Sequence, residues 1–359
     1  MRFLVTFSVA VAACAVLLLV PHGIDAGWLM ANQDDPAALS DRALAKAFDP
    51  GVAQREIEAA LAAGDADLAQ SFLDLAHDRG VPVPPDLAQR VAAANATTAQ
   101  MQRAAGSFAR GLVSGEPDDL AGFAGTALGD LFVFGDVRDA VREGTRLASG
   151  QNADEMILGL ACVGLAVTAG TYASLGAGAP ARVGLSVFKA ARKTGRVGTQ
   201  LAEWTGRSLR DIVDGAALRR VSLTNPALAA RAARDAVKLN KADGLVRFVG
   251  DVGRVQSKAG TRTALDSLKL VERPRDMTRI AKLAEKKGSQ TRAIIKLLGR
   301  GAILLTVGLW NLTWSMFWAV FALFGFVSSL KAGAERATQR YLQRRKARRA
   351  RLALAAAQA

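Results

Sequence analysis

A run of 30 residues without a charged side chain, Gly301–Leu330, limits what this chain can fold into more than any other feature. A helix of that length would rise about 45 Å, more than the roughly 30 Å hydrocarbon core of a bilayer. The run is therefore predicted to be a transmembrane helix. Three tryptophans recur along one face at i, i+4 spacing, where they are predicted to pack against another helix: Trp310, Trp314 and Trp318.

A second charge-free run, Met156–Ala181, contains 26 residues and predicts another transmembrane helix. Small residues recur along it at every fourth position, which places them on one helix face: Cys162, Ala166, Gly170, Ser174 and Gly178. Such a stripe lets a neighbouring helix approach closely, either from the same chain or from a second copy of it. The alternative is a weakly apolar, glycine-rich segment buried in the core of a soluble domain.

The segment Leu120–Val137 is glycine-rich and half apolar, and it carries Asp130 and Asp136. Carboxylates inside a membrane are functional candidates, because burying an unpaired charge there is costly. The alternative is a helix that lies at the membrane interface or against soluble helices with both aspartates in water. The two aspartates are therefore predicted as intramembrane or interfacial acidic residues.

The N-terminal residues 1–26 have the pattern of a targeting or anchoring segment. Arg2 precedes the apolar run Phe3–Val20, which Pro21 ends. The small-residue sequence Ile24-Asp25-Ala26 is a passable cleavage site. The pattern indicates either a signal peptide or an N-terminal membrane anchor.

Charge divides the chain into an acidic and a basic half. Residues 21–155 contain 21 acidic and 10 basic side chains, whereas residues 156–359 contain 11 acidic and 36 basic side chains. Within the second half, residues 182–300 have a net charge of +17. Because basic segments favour the cytoplasmic side of a membrane, the two blocks are predicted to lie on opposite sides. No aromatic residues interleave with base-reading polar ones, so nucleic acid is not favoured as a partner.

The tail Lys331–Ala359 has nine basic residues and one acidic residue. Its polybasic run is predicted to bind anionic lipid headgroups at about 1 kcal/mol per residue: Arg344, Arg345, Lys346, Arg348, Arg349 and Arg351.

A single crossing by Gly301–Leu330 places the tail and the basic block 182–300 on opposite faces of the membrane. A re-entrant segment with Asn311 and Ser315 near its tip would instead place both basic segments on the same face. An unbroken tilted helix is the simpler local structure and is the one predicted.

The remaining regions predict an all-α protein, because alanine is abundant and no useful run alternates apolar and polar residues. Residues 27–119 form an acidic soluble helical region, 120–181 a glycine-rich apolar region, and 182–300 a basic helical region. Helices are predicted at Ala37–Phe48, Val52–Ala63, Ala66–Arg79, Asp86 to about Val113, Ala181–Ala202, Asn225–Leu239, Ala264–Val271 and Met277–Leu298.

The sequence contains little that suggests enzymatic chemistry. His22 and His77 are the only histidines, Cys14 and Cys162 are far apart, and no phosphate-binding or nucleophile motif is found. We therefore expect no catalytic residue, no cofactor and no metal.

The sequence as a whole predicts an integral membrane or envelope protein with a structural or scaffolding role, placed in a bacterial inner membrane. The expected partners are the lipid bilayer, anionic lipids, and a second copy of the chain or other membrane helices. The alternative is a pore-forming or membrane-inserting effector, since basic amphipathic helices beside a late apolar segment would suit insertion.

Overall fold

The chain forms an all-α structure, as its sequence predicts. The structure is a computed structural model that describes residues 27–28, 31–97, 123–173, 178–215, 226–302, 317–318, 320–321, 324–325, 327–328, 331–336 and 338–347. Within these ranges the only extended pairing is an isolated bridge between Val213 and Val237. Contacts divide the chain into a helical bundle, Asp34–Leu304, and a terminal unit made of Met1–Gln33 and Leu305–Ala359.

The bundle begins with helices whose starts follow from local sequence. They are α1 (Pro36–Ala47), α2 (Pro50–Ala62), α3 (Ala66–Asp78) and α4 (85–97). The first three are each preceded by an aspartate whose carboxylate accepts hydrogen bonds from backbone N–H groups of the first turn: Asp35, Asp49 and Asp65. These caps and the two first-turn prolines explain why the predicted starts of the three helices are nearly correct.

Nine more helices complete the described part of the bundle. They are α5 (Phe123–Ala148), α6 (Glu155–Ala173), α7 (Ala179–Lys193), α8 (Thr199–Ile212), α9 (Pro226–Asp235), α10 (Asp243–Ala259), α11 (Thr261–Leu270), α12 (Pro274–Lys287) and α13 (Thr291–Leu298). The predicted helix Ala181–Ala202 is wrong, because Gly195 adopts a left-handed conformation (φ 68°) between α7 and α8. Gly288 (φ 52°) similarly separates α12 from α13.

The pairing of α7 with α10 is the most extensive helix contact in the described bundle. The backbones approach so closely that a Cβ on Gly184 would overlap the carbonyl oxygen of Val249 and lie 2.6 Å from the nitrogen of Gly253. Beside this crossing, the Phe188 and Phe248 rings meet edge to face with centroids 5.3 Å apart. Two glycines therefore set the distance between the central helices, and aromatic rings fill the space next to them.

The helix α6 occupies most of the range Met156–Ala181, which was predicted to be a transmembrane helix. It contacts α5, α7, α8 and α9, and eight of its apolar side chains are buried: Ile157, Leu158, Leu160, Ala161, Cys162, Val163, Leu165 and Ala166. A helix enclosed by other helices is apolar all round, so its composition resembles that of a membrane span. The prediction of a single helix over this range is wrong, because Gly178 is the N-cap of a second helix, α7, and Pro180 lies in its first turn.

None of the helices in the described part of the chain has both the length and the apolar character needed to cross a bilayer.

The acidic N-terminal helices pack directly on the basic helices α12 and α13. Lys286 Nζ lies 2.6 Å from Asp35 Oδ2, and Lys287 Nζ lies 2.8 Å from Asp41 Oδ1. Residues joined by such contacts share one side of any membrane. The predicted placement of the two charge blocks on opposite sides is therefore wrong, since part of the charge difference is neutralised within the bundle.

The most buried of these contacts joins Asp65 to Arg292, whose side chain is 10% exposed. The two guanidinium nitrogens Nη1 and Nη2 each donate to one Asp65 oxygen at 2.7 Å, and Nε donates to Asp266 at 2.9 Å. Beside it, Ser71 donates to the Ser289 carbonyl at 2.6 Å and accepts from the Ala293 N–H at 2.9 Å. This polar network fixes α3 against α13.

The pKa of Asp65 gives this network a measurable pH dependence. Burial raises the pKa, but the hydrogen bonds and charge of Arg292 outweigh it, so the folded value lies below the ordinary 3.8. The stability contributed by Asp65 is therefore present above pH 3.8 and is lost as pH falls through the lower folded value. We expect Asp65→Asn to lower the free energy of unfolding by about 2 kcal/mol at neutral pH. Below pH 4 the free energy of unfolding should fall less steeply in this variant than in wild type.

Urea unfolding of the full-length protein between pH 3 and pH 7 measures this effect. The matched control is Asp211→Asn, which removes an exposed carboxylate from α8. Equal pH dependence in wild type and the Asp65 variant would show that the Asp65–Arg292 contact does not contribute.

Candidate functional site

A cluster of buried charges joins α5 to α7. On α5, Asp136, Asp139 and Glu143 follow one another at spacings of three and four residues, which places them on one helix face. On α7, Lys189 and Lys193 are four residues apart and face the same region. All three carboxylates and Lys189 are buried.

Lys189 is the centre of this cluster. Its Nζ lies 2.5 Å from Asp136 Oδ1 and 3.0 Å from Asp139 Oδ2, and its side chain is 9% exposed. Lys193 Nζ lies 2.9 Å from the same Asp139 oxygen, but its side chain is 37% exposed. Gly164 of α6 leaves room for the cluster, because a Cβ there would overlap the Asp136 carboxylate.

The cluster shifts the pKa values of its two aspartates in opposite directions. Burial raises the pKa of Asp136, since desolvation outweighs the charge and hydrogen bond of Lys189. Burial also raises the pKa of Asp139, but hydrogen bonds from Lys193 and Lys189 outweigh this effect, so the pKa of Asp139 is lowered overall. The difference follows from the number of ammonium groups that each carboxylate contacts.

Glu143 extends the cluster to the connection between α5 and α6. It accepts hydrogen bonds from the Asp154 N–H at 3.0 Å and from Arg142 Nε at 2.8 Å. Burial raises its pKa, but these bonds and the nearby arginines lower it overall. Asp154 in turn accepts from the N–H groups of Met156 and Ile157, so the start of α6 is fixed to α5.

These contacts give the buried charges a structural role. Asp136 and Asp139 of α5 both contact the ammonium group of Lys189 on α7, so these ion pairs hold the two helices together. Nearby, Cys162 is buried, and desolvation together with the charge of Asp136 raises the pKa of its thiol to about 12. The described residues contain no group of three histidine, cysteine, aspartate or glutamate side chains that could hold a metal ion.

The structure places the helix-packing residues predicted for Met156–Ala181 in different surroundings. Cys162 and Ala166 are buried in α6, and Gly170 lies in the last turns of that helix. Gly178 precedes α7 as its N-cap residue, and Ser174 lies outside the described residues. The stripe therefore does not continue along a single helix.

Asp136 is the member of the predicted acidic pair whose surroundings are described, and it is buried in the bundle against Lys189. Asp130 lies in α5, but its side chain is outside the described residues. The sequence did not indicate that Lys189 is the partner of Asp136. The matching spacing of acids on α5 and lysines on α7 is the signal that would have suggested it.

The terminal unit contains a second feature, an exposed apolar surface. Six large apolar side chains between residues 317 and 327 are 46–72% exposed: Phe317, Trp318, Val320, Phe321, Phe324 and Val327. Their residues are helical, and the ring of Trp318 lies 6.1 Å from Phe317 and 6.0 Å from Phe321. Exposed apolar surfaces of this extent mark interaction sites for proteins or membranes.

A basic surface follows the apolar one in the chain. Six basic side chains are exposed in the helical residues 331–336 and 338–347: Lys331, Arg336, Arg340, Arg344, Arg345 and Lys346. Of the predicted residues in these two surfaces, five lie outside the described residues: Trp310, Trp314, Arg348, Arg349 and Arg351. Most of the predicted span Gly301–Leu330 also lies outside them.

Comparison of the chain with protein-family models, curated proteins and solved structures finds no match.

Proposed function

We propose that this protein is a non-enzymatic scaffold attached to a membrane, with the helical bundle displayed at the bilayer surface. The proposal places Gly301–Leu330 in the membrane and the tail Lys331–Ala359 on anionic headgroups. It places the chain in a bacterial inner membrane, with a second copy or other membrane helices as further partners.

The observation that supports the proposal is the direct succession of exposed apolar and exposed basic side chains in the terminal unit. Leaving large apolar side chains in water forgoes about 25 cal/mol for each Å² that a lipid phase would cover. Aromatic residues such as Trp318 and Tyr341 are common where a bilayer meets water. The six exposed basic residues would each add about 1 kcal/mol near an anionic leaflet.

The bundle supports the scaffolding part of the proposal through its contacts. The Lys189 cluster and the Asp65–Arg292 network hold helices together with buried ion pairs, which suits a rigid support.

Flotation of the full-length protein with vesicles tests the membrane proposal. We expect binding to vesicles of phosphatidylcholine with phosphatidylglycerol, and weaker binding to phosphatidylcholine alone. Replacing Arg344, Arg345 and Lys346 by glutamate should weaken binding to the anionic vesicles at least tenfold, because three attractive charges are reversed. The matched control reverses three exposed basic residues of the bundle, Arg207, Lys238 and Lys258.

The outcomes distinguish the parts of the proposal. Failure to float with either vesicle type, or equal losses in both triple variants, would overturn attachment by the tail. Release of the membrane-bound chain by alkaline carbonate would contradict the span Gly301–Leu330 and leave surface binding intact. Leakage of an entrapped dye at low protein concentration would favour the pore-forming alternative instead.

A further inference from the structure

A cavity of about 670 Å³ lies in the bundle beside the Glu143 end of the buried charge cluster, and the proposed function does not use it. Its walls come from the end of α5, the start of α6, the last turn of α7 and one face of α8. Cavities of roughly 300–1,000 Å³ are typical of small-molecule sites. The volume is therefore sufficient for a ligand of metabolite size.

Three arginines from three different helices line this cavity: Arg146 of α5, Arg192 of α7 and Arg210 of α8. Two have carboxylate neighbours, since Arg146 Nη1 lies 3.3 Å from Glu143 and Arg192 Nη2 lies 3.3 Å from Asp154. Arg210 is exposed and pairs with no carboxylate in the part of the chain that the structure describes. One guanidinium at the cavity is thus left for an anionic ligand.

The balance of charge on the cavity wall supports the same conclusion. The two carboxylates on the cavity wall, Asp154 and Glu155, leave the three arginines in excess. Asp154 is further occupied by capping α6.

Most of the remaining wall is apolar and includes Leu158, Leu209 and Val213. Gly206 on α8 keeps this side open, because a Cβ there would meet only Arg210 Nη1, at 3.7 Å. A bare inorganic anion would leave this apolar wall unfilled. From the arginines and the apolar wall together, we propose that the cavity binds a small amphiphile with a phosphate or carboxylate headgroup and a short apolar body.

Isothermal titration of the full-length protein with hexyl phosphate tests this proposal. We expect hexyl phosphate to bind more tightly than either inorganic phosphate or hexanol, because only it meets both the arginines and the apolar wall. Arg210→Gln should weaken binding about tenfold or more, since it removes a charge-assisted hydrogen bond. Gly206→Leu should abolish binding by filling the cavity, at a helical position without a close neighbour.

Arg207→Gln is the matched control, because Arg207 lies on the same helix and is exposed like Arg210, but it does not line the cavity and faces Glu203 at 3.8 Å. It should bind hexyl phosphate as wild type does. Equal weakening by the Arg207 and Arg210 variants, or equal affinities for hexyl phosphate and inorganic phosphate, would overturn the proposal. If dihexanoyl phosphatidic acid displaces hexyl phosphate, the natural ligand is a lipid with a phosphate headgroup. If it does not, the natural ligand is a soluble phosphate ester. Either result supports the site.

Discussion

Alanine at Gly184 is expected to destabilise the bundle by about 3 kcal/mol or more, enough to prevent stable folding at 37 °C. The added Cβ would overlap the Val249 carbonyl oxygen of α10, and it would lie 2.6 Å from the backbone nitrogen of Gly253. Overpacking a core usually costs about 1–3 kcal/mol. Here both neighbours are backbone atoms, which cannot rotate away as a side chain can. Thermal unfolding followed by circular dichroism measures the loss.

A matched substitution separates this steric effect from the general effect of changing a helical glycine. Gly250 lies on α10, close in sequence to Gly253, but a Cβ there would have no atom within 4 Å. Gly250→Ala should therefore be neutral or stabilising by up to about 1 kcal/mol, because alanine favours helix more than glycine does. If Gly184→Ala and Gly250→Ala unfold at the same temperature, the close crossing of α7 and α10 is incorrect.

Methionine at Lys189 is expected to cost about 3–5 kcal/mol, the usual effect of removing one partner from a buried ion pair. Asp136 would lose its ammonium partner in a site where burial already raises its pKa. Asp139 would retain Lys193, which is more exposed. Urea unfolding at pH 7 is the appropriate measurement, because guanidinium salts would screen the charges.

Two further variants make this prediction specific to the buried pair. Lys193→Met should cost only about 1 kcal/mol, because its side chain is partly solvated and Asp139 keeps Lys189. The double variant Asp136→Asn with Lys189→Met should be more stable than Lys189→Met alone, since the unpaired carboxylate is gone. A loss at Lys189 no larger than the loss at Lys193 would contradict the structural role of the cluster.

The parts of the fold that depend on local sequence were predicted well. Helices α1 to α3 begin where an aspartate accepts hydrogen bonds from the first turn, and two of them have proline at their first position. Such signals act over three or four residues, so they can be recognised without tertiary information. The all-α class follows from the same local preferences.

The parts that depend on packing were not predicted. Helix α10 was missed because glycines at Gly250 and Gly253 weaken its local signal, although its apolar residues have helical spacing. Gly253 is needed there only because α7 crosses at that point. Likewise, the sequence of α6 does not reveal whether protein or lipid surrounds it, since both favour side chains that are apolar all round.

The candidate sites show the same limit. Asp136 was recognised as an unusual acid in an apolar segment, but its partner Lys189 lies 53 residues later. The arginines of the cavity come from three helices, so no short motif contains them. Sequence reasoning identified charged residues in unusual surroundings, whereas their partners depend on how distant helices cross.

The docking of the acidic N-terminal helices on α12 and α13 also orders events during synthesis. Asp65 and Arg292 are 227 residues apart, and translation proceeds at about 5–20 residues per second, so Asp65 waits roughly 10–45 seconds for its partner. Throughout that interval the surfaces of α1 and α3 that later meet α13 remain uncovered. A nascent chain interrupted before Thr291 retains this open surface, where a chaperone or quality-control protease would recognise it as incomplete.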